Sequence, residues 1–202
     1  MDFGQAVKLY HERMQLDERF QDIYSVAKQI MAGEHWLVGG SVFRPLVEIM
    51  YEREQPLTDF DFVCDTIKND IVLPEGYYMV RNSYGNPKIR TPETDFDCVP
   101  FNSWKKFKFK SPGINSVLIQ NPTTVQSLAY NPDTGEVKGL GKHAIKRQEI
   151  QVNNLHYLLK AANSKKISMA DYLKRFDSLG FNLVSGYLIA KRNFPLQIEH
   201  LC

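Results

Sequence analysis

Apolar residues in the first thirty positions recur at helical spacing: Phe3, Val7, Tyr10, Met14, Phe20, Ile23, Tyr24, Ala27 and Ile30. Steps of three and four residues gather them on one stripe, so residues 3 to 31 predict one or two amphipathic helices ending at Gly33. The period then changes. His35-Trp36-Leu37-Val38 is a short apolar run of the kind that forms a buried strand. Val42, Leu46, Val47, Ile49 and Met50 return to helical spacing, with Ser41 expected as the cap and Pro45 tolerated only near the first turn. Residues 35 to 111 are expected to supply most of a mixed sheet, broken by turns at Pro74-Glu75-Gly76 and Tyr84-Gly85-Asn86-Pro87. Residues 112 to 149 carry turn signals at Pro112-Gly113, Asn121-Pro122 and Asn131-Pro132-Asp133-Thr134-Gly135. Helical spacing resumes with Val152, Leu155, Leu158 and Leu159, and Ser168-Met169-Ala170-Asp171 has the form of a capping box that Gly180 would close. The whole predicts an α+β fold with helices flanking a mixed sheet. It divides into a first unit over residues 1–150 and a small helical segment over 151–202.

Two features in the first unit carry chemistry. Gly39-Gly40 follows the expected strand and precedes the expected helix, so the backbone can turn tightly and bring a helix N-terminus close to a ligand. Amides and dipole at such an end favour phosphate. Further on, Asp59-Phe60-Asp61-Phe62 alternates acid and aromatic. In an extended strand both carboxylates point one way and both phenylalanines the other. Two like charges held side by side suit a hard divalent cation such as Mg²⁺, which keeps coordination positions open for substrate phosphates.

These residues resemble the nucleotidyltransferase superfamily that includes DNA polymerase beta, and within it the head domain of bacterial poly(A) polymerases and CCA-adding tRNA enzymes. Three segments carry the likeness: Leu37-Val38-Gly39-Gly40-Ser41-Val42 with Asp59-Phe60-Asp61; Asp95-Phe96-Asp97-Cys98-Val99-Pro100-Phe101; and residues 125 to 137. The resemblance implies a polymerase beta-like fold in which Asp59, Asp61 and Asp97 are catalytic and hold two Mg²⁺ ions. Gly39, Gly40, Ser41 and Arg44 would contact a nucleoside triphosphate. It implies transfer of a nucleoside monophosphate to an acceptor hydroxyl, first of all an RNA or tRNA 3′ end. A protein or small-molecule acceptor, or a head domain that binds nucleotide or a partner without turnover, are the other readings. Lys142 and Arg90 are weaker candidates for phosphate contacts. The chain also departs from the family pattern. Arg44 is displaced by one position and Pro45 stands where an acid is usual. The interval before the paired acids is lengthened by Tyr51-Glu52-Arg53-Glu54-Gln55, and Asn121-Pro122-Thr123-Thr124 replaces a signature rich in arginine.

Composition narrows the setting. No apolar run approaches membrane-spanning length, and no basic stretch leads into a hydrophobic one at the amino terminus, so a cytoplasmic location is expected. Cys64, Cys98 and Cys202 are odd in number and far apart, which argues against a disulfide framework and a zinc cluster. Cys64 and Cys98 are expected to pack beside the catalytic strands as small hydrophobes. The net charge of +2 conceals two halves. Glu48 to Asp97 holds eleven acids against five bases, whereas Gly141 to Arg192 holds ten bases against three acids, a balance that attracts phosphate backbones and also describes an ordinary solvated helical surface. Trp104-Lys105-Lys106-Phe107-Lys108-Phe109-Lys110 alternates lysine with aromatic residues. The favoured reading is a half-buried strand, the other a grip on single-stranded nucleic acid.

Overall fold

The computed structural model describes residues 1–56, 58–82, 85–104 and 112–184. The lysine–aromatic run 105–110, Tyr84, Lys191, Arg192 and Cys202 lie outside the described residues. Two helices open the chain, α1 (Phe3–Leu16) and α2 (Glu18–Ile30), each started by an aspartate whose side chain accepts an amide of the first turn: Asp2 from Gln5 and Asp17 from Phe20. Strand β1 (Met31–Val38) and helix α3 (Gly40–Tyr51) follow, then β2 (Phe60–Ile67), β3 (Tyr78–Arg81), β4 (Pro87–Arg90) and β5 (Phe96–Pro100). A 3₁₀ turn (Phe101–Trp104), α4 (Ile114–Leu118), β6 (Ala129–Tyr130), β7 (Val137–Lys138) and α5 (Gly141–Arg147) complete the sheet and its cover. The chain continues through β8 (Glu149–Ile150), α6 (Leu155–Ser164), α7 (Met169–Lys174) and β9 (Asn182–Leu183).

The main sheet has seven strands in the order β3-β4-β5-β2-β1-β6-β7. Among the described residues its only parallel pair is β2 with β5 and every other neighbouring pair is antiparallel, which makes the sheet mixed as expected. Alternation sorts the side chains onto two faces. Leu37, Phe60, Phe62, Cys64, Ile89, Phe96, Cys98 and Tyr130 pack with α1, α2 and α3 in one large buried cluster. Trp36, Val38, Val63 and Ala129 face the other way, into a smaller cluster with Phe101, Ile114, Val117 and Leu118. Phe43 of α3 carries the large cluster towards the carboxy-terminal segment, meeting Phe176 and Phe181 at ring centroid distances of 6.3 and 6.4 Å.

Three details depart from the sequence pattern. The second helix ends at Ile30, and Gly33 lies inside β1 at φ +77°, at a break in register with β2. The gap left by its missing Cβ is filled by the Asp65 carboxylate, which accepts the Glu34 amide at 2.7 Å, so this glycine marks a bulge and not a helix end. Residues 112 to 149 hold two helices and a hairpin among their turns. With five and seven residues, α4 and α5 are too short for a helical period to show in the sequence. Third, Ser41 does not cap α3; the N-cap is Gly39, and no side chain caps that end. The expected capping residue Ser168 does accept the Asp171 amide, at 3.0 Å.

Pro45 sits in the sixth position of α3, beyond the first turn. A proline there has no N–H for the carbonyl four residues back, which is that of Ser41. The buried hydroxyl of Tyr10 in α1 donates to Ser41 O at 2.9 Å and takes the missing amide's place. Tyr10→Phe leaves that carbonyl buried without its donor, and chemical denaturation should show a loss of about 1–3 kcal/mol. A midpoint equal to that of the unsubstituted protein would show that water or a backbone shift serves the carbonyl instead.

Candidate active site

The site begins where β1 ends. Val38 is the last strand residue, Gly39 adopts φ +80° and ψ −147°, and α3 starts at Gly40. That conformation is almost closed to residues with a side chain. The space is closed as well: a Cβ on Gly39 would stand 3.2 Å from Asp61 Oδ2, and one on Gly40 would stand 2.9 Å from Thr58 Oγ1. Both glycines therefore let the segment leading into β2 lie directly against the start of α3. Helix N-termini leave backbone amides without intrahelical partners, and here that end adjoins the carboxylate of Asp61.

Asp61 and Asp97 are direct register partners across the parallel pair β2 and β5, and Val38 is the partner of Asp61 on β1. Register partners share a face, so both carboxylates project from the side of the sheet that carries the smaller cluster. Their companions Phe60, Phe62, Phe96 and Cys98 are buried on the other side. Burial, then the charges of Asp97 and Asp59, push the Asp61 carboxyl up to about 7. Asp97 is likewise raised, chiefly by burial, while Lys88 and the amide of Asn82, which donates to Asp97 Oδ1 at 3.3 Å, pull it back. Asp59 precedes the first residue of β2 and is exposed, and its charge is felt at both other acids. Asp95 is held by two cations, Lys88 at 3.5 Å and Arg90 at 3.0 Å. Asp97 is the acid of that strand left facing Asp61.

The remaining predicted residues fall less evenly. Ser41 is 4% exposed and its hydroxyl donates to Val38 O at 3.2 Å, so its side chain is turned into the protein. Arg44 lies one turn along α3 from Gly40, with its guanidinium donating to Pro56 O at 3.0 Å on the segment leading to Asp59. Burial, and then the charge of Arg175, hold that guanidinium below its usual value. The longer interval before the acids is a fastened strap: Gln55 is buried, and Arg53 donates to Leu179 O at 3.3 Å. Asn121-Pro122-Thr123-Thr124 forms a buried joint. Thr123 is fully buried, and Asn153 Nδ2 donates to Leu118 O and Asn121 O. Cys64 and Cys98 are buried free thiols on β2 and β5, as expected, and burial raises both. Lys88, which sequence reasoning passed over, stands opposite Asp97 on β4. Only the pairing of β4 with β5 reveals it.

The donor set fits a hard divalent cation in part. Two adjacent carboxylates whose ionisation is opposed by burial and by each other are what a cation relieves, and Gly39 keeps the approach to Asp61 open. Among the described residues no group of three His, Cys, Asp or Glu side chains is gathered closely enough to hold a metal ion.

No protein-family model and no curated protein matches the chain. Solved structures do. The Bacillus stearothermophilus CCA-adding enzyme in complex with CTP superposes with a TM-score of 0.55 and 19% identity, over 89% of this chain and 45% of that one. A CCA-adding enzyme with ATP gives 0.53 at 14% identity, over 91% and 43%. An apo form of a tRNA-processing enzyme gives 0.52 at 14% identity, over 83% and 44%. The fold is that of the polymerase beta-like nucleotidyltransferases. The chain spans less than half the length of each of these three structures. Among the described residues no helix is long and apolar enough to cross a membrane.

The raised Asp61 carboxyl fixes the sign of a pH effect. Below about pH 4 the group is protonated in both folded and unfolded chains and contributes nothing. Between there and about 7 the unfolded chain ionises first, so stability falls as pH rises and the penalty is complete above the folded-state value. Asp61→Asn should remove it, raising stability at pH 8 in chelator by on the order of 1–3 kcal/mol while changing little at pH 4. Equal effects at both pH values would place the Asp61 carboxyl in water.

Proposed function

We propose that the protein is a metal-dependent nucleotidyltransferase that moves a nucleoside monophosphate from a nucleoside triphosphate to an acceptor hydroxyl, with the 3′ end of an RNA or tRNA as the acceptor. The single observation that supports the reading most is the juxtaposition of Asp61 and Asp97 in parallel register beside the Gly39 turn. The structural likeness to CCA-adding enzymes, two of them solved with CTP and ATP, supports it at the level of fold. On this reading residues 1–150 are the catalytic head, and the described part of the carboxy-terminal segment, 151–184, packs onto it through Phe176 and Phe181.

Asp61 and Asp97 would hold Mg²⁺, with Asp59 at the entrance to β2 able to join them from the solvent side. The bound ions would supply positive charge to the transferring phosphoryl group and lower the pKa of the acceptor hydroxyl. The chain's own residues do the positioning. Gly39 and Gly40 bring the amides of α3 against the acids, and Arg44, one turn further along α3, would offer its guanidinium to the triphosphate. Lys88 and Asn82 keep Asp97 oriented towards Asp61. Ser41, turned inward, would contribute only its backbone.

The exposed cations of α5, α7 and the turn between α6 and α7, including Lys146, Arg147, Lys165, Lys166 and Lys174, fit the electrostatic attraction of a phosphate backbone. A second reading, a head domain that binds nucleotide or a partner without turnover, is favoured by one observation: the three proposed acids do not form a closed metal shell.

Incubation with labelled nucleoside triphosphates, Mg²⁺ and total RNA separates the readings by where the label goes. Label in RNA is the expected result, lowered at least about a hundredfold by Asp61→Asn or Asp97→Asn. Label in protein alone would transfer the reading to a protein acceptor, and no label in either, with Mg²⁺ also failing to raise the thermal midpoint, would leave the non-catalytic one. RNA affinity should weaken steeply with salt and with charge removal at Lys165, Lys166, Lys174 and Arg175. A flat salt response in filter binding would remove RNA as the acceptor.

A further inference from the structure

The sheet face that carries the acids does not end at Asp97. Lys88 on β4 stands opposite Asp97, and Val80 on β3 stands opposite Lys88, so one row of side chains crosses four strands as Val80, Lys88, Asp97, Asp61. Two residues along, Tyr78 stands opposite Arg90, whose guanidinium reaches Asp95. Opposed residues share a face. Outward from the acid pair, the charge on this face therefore changes sign, from two carboxylates to Lys88 and Arg90, and then meets an aromatic ring at the edge of the sheet.

Three properties distinguish this ribbon from an ordinary solvated strand pair. Tyr78 is 59% exposed on the terminal strand, so its ring serves no core. Arg90 is 48% exposed and is steadied by Asp95, which also holds Lys88, so both cations are fixed in place. The ribbon is also continuous with the site: β3 lies two strand spacings, about 10 Å, from β5 and its Asp97.

We propose that the β3–β4 ribbon is the platform for the single-stranded 3′ end of the RNA acceptor. Tyr78 stacks on a base near the terminus, Arg90 and Lys88 face the backbone, and the terminal hydroxyl is thereby delivered to the Asp97 side of the acid pair. An exposed ring beside paired cations is the arrangement by which single strands are held without regard to sequence, since every base offers a π-face. The inference rests on the reading of RNA as acceptor. It adds where the reacting end lies, a role distinct from attraction of the acceptor body by the carboxy-terminal cations.

The test is direct binding of a labelled single-stranded oligoribonucleotide to the full chain by fluorescence anisotropy, without nucleoside triphosphate or divalent cation. Tyr78→Ala should weaken binding about tenfold and Tyr78→Phe, which keeps the ring, should restore it. Arg90→Gln should make the dependence of log affinity on log salt shallower by about 0.7. Because Tyr78 is exposed, thermal midpoints of its two variants should match that of the unsubstituted protein, which separates lost stacking from lost fold. Unchanged RNA affinity in both Tyr78→Ala and Arg90→Gln would overturn the platform, as would absence of RNA binding by the unsubstituted protein. Binding with this pattern but no label incorporated into RNA would uphold the platform and sink the proposed transfer.

Discussion

Two carboxylates facing each other across a parallel strand pair are an unfavourable arrangement that most sheets avoid. Asp61 and Asp97 are placed so by the register of β2 and β5, and burial, with the repulsion added to it, pushes the Asp61 carboxyl up to about 7. The fold supports this by packing: Phe60, Phe62, Phe96 and Cys98 from the same two strands are buried against the helices, so neither strand can slip by one residue without exchanging its core face for its acidic one. The hydrophobic face of the sheet thus holds the charged face in position. A divalent cation, or Lys88 and Asn82 in its stead, is what such a pair calls for.

The turn before α3 depends on the same constraint. Gly39 and Gly40 leave room for Asp61 and Thr58, and Pro45 then removes an amide from the helix they begin. Tyr10, from the first helix of the chain, repairs that loss. The amino-terminal helices consequently do more than cover the sheet, because one of them fastens the helix whose N-terminus borders the acids. At the far end of α3, Arg53 fastens the chain to Leu179, and Phe43 packs on Phe176 and Phe181. The carboxy-terminal segment is in this way tied to the helix at both ends of its length.

Charge on the site's face is graded. Acids lie in the middle of the sheet, cations on β4 beside them, and an exposed tyrosine on the last strand. No local stretch of sequence carries this order, since Tyr78, Arg90, Lys88, Asp97 and Asp61 come from four strands. It arises only once antiparallel and parallel pairings are combined in one sheet.

The sequence by itself determined the alternation of acid and apolar residue at residues 59 to 62 and 95 to 98, the glycine pair before a helix, and the amphipathic stripes of the first thirty residues. Each of these is a local pattern whose period reports a strand, a turn or a helix directly. Tertiary structure decided what depends on partners distant in the chain. Gly33 ends a helix or makes a bulge according to whether Asp65 fills the space beside it, and Ser41 is a cap or a buried hydroxyl according to where Val38 places its carbonyl. That Lys88 stands opposite Asp97 depends on which strand adds beside β5. Short elements such as α4 and α5 were invisible for a related reason: too few residues to display a period, they are helical because the buried joint around Thr123 and Asn153 and the packing on α3 hold them so.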